Sequence, residues 1–165
     1  MITIDPVPVD SSDLRNAYGC FPSGVTAVCA VVDGEPVGIA ASSFTTVSVS
    51  PPLVSVCVQN TSTTWPRLRG RHRLGLSVLG ERQHLQCRAL AMKKGDRFAD
   101  VDWGATPEGA VLVNGATAWL DCSIHAEVPA GDHVIVLLEI HGLRADAGVA
   151  PLIFHASRFR RLAAA

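Results

Sequence analysis

A chain of 165 residues has the length of one domain, and with hydrophobic residues at 48% and charged residues at 18% it can bury a core and is no disordered polyelectrolyte. Lys and Arg number 14 against 15 Asp and Glu, so there is no overall field to hold nucleic acid or an anionic membrane. No apolar stretch approaches the ~20 residues that cross a bilayer, and residues 1–10 lack the basic and apolar regions of a secretory leader, so the cytoplasm is the expected compartment.

Leu14, Ala17, Tyr18 and Phe21 recur at helical spacing behind Ser11, Ser12 and Asp13, which predicts a short amphipathic helix that Gly19 ends. Residues 25–32 and 37–41 are apolar and flank Asp33-Gly34, the signature of a β-hairpin. Two further strands are expected at 44–49 and 53–59, parted by Ser50-Pro51-Pro52, where proline removes ladder donors. Residues 61–69 read as a helical turn or short helix and 74–79 as a strand before Gly80. A helix over 81–92 would put Leu85, Ala89 and Met92 on its buried side, and Lys93-Lys94-Gly95-Asp96 stops it. Residues 97–114 read as loop with one short strand at 111–113.

Residues 116–128 carry the strongest local signal. Ala116, Ala118, Leu120, Cys122, Ile124, Ala126 and Val128 alternate with mostly polar partners, which predicts a long strand whose even-numbered residues face inward. Strands are also expected at 133–143 and 151–159. Many short strands, few helices and no βα alternation favour an antiparallel barrel: a mainly β single domain over 1–165.

No glycine-rich dinucleotide or phosphate loop follows any strand. Five cysteines without a paired spacing suit reduced, buried thiols, and Cys122 with His125 would supply only half a metal site. Two hydroxyl-rich segments, Ala40-Ala41-Ser42-Ser43-Phe44-Thr45-Thr46 and Asn60-Thr61-Ser62-Thr63-Thr64, each follow a strand. Such clusters cap turns, and they also bind phosphate and ring atoms without a full charge. Arg67, Arg69, Arg71, His72 and Arg73 read as a solvated basic loop face.

Phe21-Pro22-Ser23-Gly24-Val25-Thr26, Gly38-Ile39-Ala40-Ala41-Ser42-Ser43-Phe44, Val47-Ser48-Val49-Ser50-Pro51-Pro52-Leu53, Asp96-Arg97-Phe98 and Gly131-Asp132-His133 occur in this order. Together they closely resemble the flavin reductase family, the reductase components of two-component flavin-dependent monooxygenases, and the resemblance sets the core of the domain at about 14–162. The resemblance implies a split β-barrel that forms a homodimer, binds FMN or FAD, takes hydride from NADH or NADPH, and passes reduced flavin to a separate monooxygenase. It places Ala40, Ala41, Ser42, Ser43, Phe44 and Thr45 along the flavin ring and ribityl chain, with Ser42 and Ser43 the first hydroxyls expected on it. Asn60, Thr61, Ser62 and Thr63 fall at the flavin phosphate, and Ser23, Gly24 and Val25 near the ring and the nicotinamide. His133 is the candidate catalytic residue beside the reduced nicotinamide, and Arg158 with Phe159 lies near the pyridine nucleotide. The chain departs from the family pattern at Ser23, where Thr is usual, at Leu90-Ala91, where Phe is frequent, and at Phe159, where Tyr is also common. His84, His141, His155 and the five thiols carry no catalytic role in this reading. A flavin-binding protein without turnover on the same barrel is the alternative, and a pyridoxal-phosphate oxidase would need further Arg and Lys around a phosphate.

Overall fold

The computed structural model describes residues 1–4, 6, 7 and 11–163, so the last two residues of the expected 1–165 domain, and part of the segment weighed as a leader, lie outside the described residues. Strands dominate. In chain order the elements are α1 (Ser11–Gly19), β1 (Ser23–Gly24), β2 (Thr26–Val32), β3 (Glu35–Ala41), β4 (Thr45–Val49), β5 (Pro52–Gln59), α2 (Trp65–Leu68), β6 (Leu74–Val78), α3 (His84–Ala91), β7 (Trp103–Ala105), β8 (Val111–Val113), β9 (Ala118–Ala130), β10 (His133–Ala145), β11 (Ile153–His155) and β12 (Arg158–Arg160).

Seven strands form one antiparallel sheet in the order β3-β2-β6-β9-β10-β5-β4, and residues 42–44 join its two edge strands. The sheet therefore curls back on itself, as the expected barrel requires. Asp33 and Gly34 both take positive φ, 54° and 87°, which is the turn their identities predict between β2 and β3. β2 reads as a continuous apolar run because both its faces are covered. Val28, Ala30 and Val32 enter a core with Leu74, Leu76, Val54, Val56, Val136 and Leu138, which Trp65 and Leu68 of α2 plug. Val25, Ala27 and Cys29 face a second core with Leu79, Cys87, Leu90, Phe98, Val111 and Leu152.

Four expectations change. The long strand is continuous, but its register against β10 skips His125, so Ile124 opposes Leu138 while Glu127 opposes the buried Val136. That bulge inverts the phase: even-numbered residues face inward only up to Ile124, Glu127 turns inward to the Trp65 indole, and Val128 is left exposed. Helix α3 buries Cys87 and Leu90 rather than Leu85 and Met92, both of which are exposed. The segment expected as loop contributes Trp103–Ala105 as a strand paired with Val111–Val113. The last expected strand is a hairpin, turning at Ala156 and Ser157 with φ of 48° and 59°.

All five cysteines are free, with Cys29, Cys87 and Cys122 buried, Cys57 half-buried and Cys20 exposed. Burial pushes the Cys29 thiol up to about 12, and burial beside the Asp121 carboxylate does the same to Cys122. Cys122 belongs to the core cluster, whereas His125 sits in the bulge with its ring 3.5 Å from Glu139. Among the described residues no helix is long and apolar enough to cross a membrane.

Candidate functional site

The hydroxyl-rich crossover from β3 to β4 is held from both sides. Thr26 Oγ1 donates to the Ala41 carbonyl at 3.0 Å, and Ser43 Oγ accepts from Cys57 N–H at 2.8 Å while donating to the Cys57 carbonyl at 3.2 Å. Ser43 is thus consumed in tying the crossover to β5. Ser42 is exposed and makes no hydrogen bond within the described residues, which leaves its hydroxyl for a ligand. Phe44 packs on the main core, Ala40 packs on the second, and Ala41 is buried; Thr45 stands exposed on β4.

Ser42 and Ser43 line a cavity of about 390 Å³ together with Ser23, Arg15, Tyr18 and the hairpin residues Phe154 to Ser157. Ser23 reaches it from β1, paired with Phe154, whereas Gly24, paired with Ile153, does not line it. Val25 does not, because its side chain is in the second core and its carbonyl accepts from Leu79 N–H. The turn at Ala156 and Ser157 is strained by roughly 1–2 kcal/mol per residue, since neither is glycine, and Ala156 N–H is held by the Gly19 carbonyl at 2.9 Å.

On the other side of this hairpin lies a cavity of about 570 Å³ that shares Phe154 and Ser157 with the first and adds Arg158, Phe159, His84 and Arg88. The Phe159 ring stands edge-on to Phe154 at 5.6 Å and carries the Arg88 guanidinium 5.6 Å from its centroid. Flat apolar faces beside free guanidinium groups suit an aromatic nucleotide with its phosphates. Arg88, His84, Arg15 and His155 were not legible as site residues, because α1 and α3 meet the hairpin only through the tertiary fold.

Asn60, Thr61, Ser62 and Thr63 do not act as one set. Asn60 binds the β9–β10 turn, with Nδ2 donating to the Gly131 carbonyl at 3.1 Å and its N–H to the Asp132 carbonyl at 2.9 Å. Ser62 Oγ accepts from Trp65 N–H and so caps α2, while Thr61 and Thr63 are exposed. His133 starts β10 opposite Gln59 and lies two residues, about 7 Å, along β5 from the Cys57 that holds Ser43. His133 and the crossover therefore flank the same end of β5. His133 Nδ1 donates to Asp132 Oδ1 at 2.7 Å, a bond that holds the exposed Asp132 carboxyl below its ordinary value. With the proton on Nδ1, the neutral ring offers Nε2 as an acceptor.

The split between the two serines has a measurable outcome. Ser43→Ala leaves the Cys57 N–H unpaired and is expected to cost about 1–3 kcal/mol of stability, read as a lowered melting temperature. Ser42→Ala should leave melting within about 0.5 kcal/mol of the parent while weakening flavin binding, measured by quenching of flavin fluorescence.

Residues 18–163 match the family model described as flavin reductase like domain. The chain is 33% identical to a flavin reductase of Pseudomonas putida over 157 residues, covering 94% of this chain and 92% of that one. It is 40% identical to an NADH-dependent FAD reductase of Streptomyces globisporus over 161 residues, covering 94% and 88%. A solved structure of a Streptomyces globisporus NADH:FAD oxidoreductase, in complex with NAD and FAD fragments, superimposes with a TM-score of 0.86 at 40% identity, over 96% of this chain and 98% of that one. A mainly β antiparallel fold, the ordered motifs and these likenesses lead to one assignment: the chain belongs to the flavin reductase like domain family.

Proposed function

We propose that the chain is an NAD(P)H:flavin oxidoreductase that reduces FMN or FAD and releases the product to a separate flavin-dependent monooxygenase. The observation that carries this reading is the pair of cavities on either side of the β11–β12 hairpin, one lined by serine hydroxyls and the other by guanidinium groups and phenylalanine faces, sharing Phe154 and Ser157. Bound flavin and nicotinamide supply the hydride acceptor and donor, and the protein supplies position. Ser42 and Ser23 would hold the flavin ring edge, with Gly24, Val25, Ala40, Ala41, Ser43 and Phe44 fixing the backbone behind it. Thr45, Asn60, Thr61, Ser62 and Thr63 lie on the path towards the phosphate, and Arg158 with Phe159 would hold the pyridine nucleotide. His133 Nε2 would accept a hydrogen bond from the nicotinamide carboxamide, with Asp132 as the positioning residue that sets its tautomer. With hydroxyls rather than a cage of charges at the ring, product release is favoured over permanent retention.

A second copy of the chain completes the reading. Tyr18, Phe21, Val47, Val49, Val128 and Leu143 are exposed, and α1 buries none of its own residues within the protomer. These apolar side chains support a homodimer that covers them. NADH oxidation measured with added FMN, FAD and riboflavin tests the activity: flavin-dependent turnover is expected, and flavin binding without NADH oxidation would leave a non-catalytic flavoprotein. Sedimentation at micromolar concentration should give twice the 17.4 kDa chain mass, and a lone 17.4 kDa species would overturn the dimer.

A further inference from the structure

The two cavities beside the β11–β12 hairpin meet at its tip, and only Phe154 and Ser157 among the described residues line both. The Phe154 ring is an apolar wall, held edge-on to Phe159 at 5.6 Å. Ser157 is therefore the single polar side chain common to the two. It is exposed and its hydroxyl makes no hydrogen bond within the described residues, so one donor and two acceptor lone pairs are free for what enters. The other serine hydroxyls of these walls serve one cavity alone: Ser23, Ser42 and Ser43 line only the first.

The backbone sets that hydroxyl in place against its own preference. His155 pairs with Arg158, so Ala156 and Ser157 make a two-residue turn in which both take positive φ, 48° and 59°. Gly and Asn reach this conformation readily, whereas Ala and Ser are strained in it. Such strain persists only where surrounding contacts fix it. Two do so here: β11 is paired with β1 through Phe154 and Ile153, and Ala156 N–H is held by the Gly19 carbonyl at 2.9 Å. Glycine at 157 would make the same turn without strain. What serine adds is a hydroxyl, on a fixed backbone, at the boundary of two ligand cavities.

Hydride transfer needs the two rings held close together, so a group that lines both cavities lies where the ligand edges meet. A flavin ring edge carries carbonyl oxygens that accept a hydrogen bond, and a carboxamide carries two N–H donors. A hydroxyl can donate to the one and accept from the other at once. We propose that Ser157 is a contact residue shared by flavin and pyridine nucleotide, its Oγ–H donating to the flavin ring edge and its lone pair accepting the carboxamide N–H that His133 does not take. The identity of the two ligands rests on the reductase reading above.

Riboflavin is the probe for the ring, because it has no phosphate and cations on the chain do not hold it. Ser157→Ala should bind riboflavin about fivefold more weakly than the parent, read by quenching of flavin fluorescence, and should raise the KM for NADH by a similar factor, the loss of one neutral hydrogen bond in each case. Ser157→Gly should show both losses while melting no lower than the parent, since glycine takes a φ of 59° without strain. Ser42→Ala, on one cavity only, should weaken riboflavin and leave the KM for NADH unchanged. Parental riboflavin affinity or a parental KM for NADH in Ser157→Ala overturns the shared contact. So does a parental Ser157→Gly beside an impaired Ser157→Ala, which would trace the effect to the backbone. Absence of NADH oxidation by the parent with any flavin overturns the shared contact and the reductase reading together, whereas parental oxidation with an unaffected Ser157→Ala overturns the shared contact alone.

Discussion

Gly75→Ala is expected to be the most destabilising single methyl that can be added to this chain's sheet. Gly75 lies in β6, and a Cβ there would fall 2.0 Å from the Val111 carbonyl oxygen, 2.6 Å from its carbon and 2.9 Å from Leu112 Cδ2. Two of these atoms are backbone, so no side-chain rotation relieves the clash. Strand β8 would have to lift off the sheet, taking Val111 and Val113 out of the second core and disturbing the bond from Val113 N–H to Ser77 Oγ. Overpacking of this kind should cost about 3 kcal/mol or more, which for a domain of this size lowers the melting temperature by roughly 6–12 °C. Gly104→Ala is the control, because a Cβ there meets nothing within 4 Å, and its melting temperature should match the parent's. Equal melting of both variants would show that β8 does not pack on β6 in this way.

The largest effect on activity is expected from His133→Ala. The ring is held by Asp132 and presents an acceptor at the end of β5 where the crossover is tied down, so its loss removes an orienting contact without opening the core. The KM for NADH should rise about tenfold, the loss of one well-placed hydrogen bond to a partner left unsatisfied, and flavin reduction in stopped flow should slow with it. Flavin affinity should stay within about twofold. Asp132→Asn should move the KM for NADH in the same direction by a smaller factor, since it frees the tautomer but keeps the ring. Its carboxyl is held below the ordinary value, so at neutral pH it is ionised and the pair is intact. Parental reduction rates and NADH dependence in His133→Ala would make the histidine structural.

Local chemistry made much of the fold legible. Asp33-Gly34 specifies its turn through backbone conformations that few other pairs reach, and Ser50-Pro51 separates β4 from β5, with Pro52 opening β5 rather than lying in the break. The misreadings share a cause: each depended on which neighbour a residue meets. Alternation over 116–128 is the same string whether or not a bulge interrupts it, and only the register against β10 reveals that Glu127, not Val128, is turned inward. Ala156-Ser157 carries no turn signal, because the left-handed conformation there is imposed by packing rather than chosen by residue type. In the candidate site, Ser42 and Ser43 are alike as letters. What distinguishes them is that the Cys57 peptide lies beside one and not the other. Arg67 and Arg69 likewise look like one solvated basic face, yet Arg67 lines a hollow beside the segment after α3 and Arg69 pairs with Glu127.

The bulges in the long strand pair also determine where this chain tolerates a change of length. His125 and His141 are the residues left without an opposite number, one in β9 and one in β10. Removing His125 would let Ile124 and Ala126 follow one another in an unbroken ladder and leave every side chain on its present face. Removing any other single residue of β9 between its ends would invert the faces of all those between the deletion and the bulge, exchanging core for solvent along that stretch. Single-residue gaps between this chain and its relatives in the long hairpin therefore belong at these two histidines, and a gap drawn elsewhere would pair core positions with surface ones.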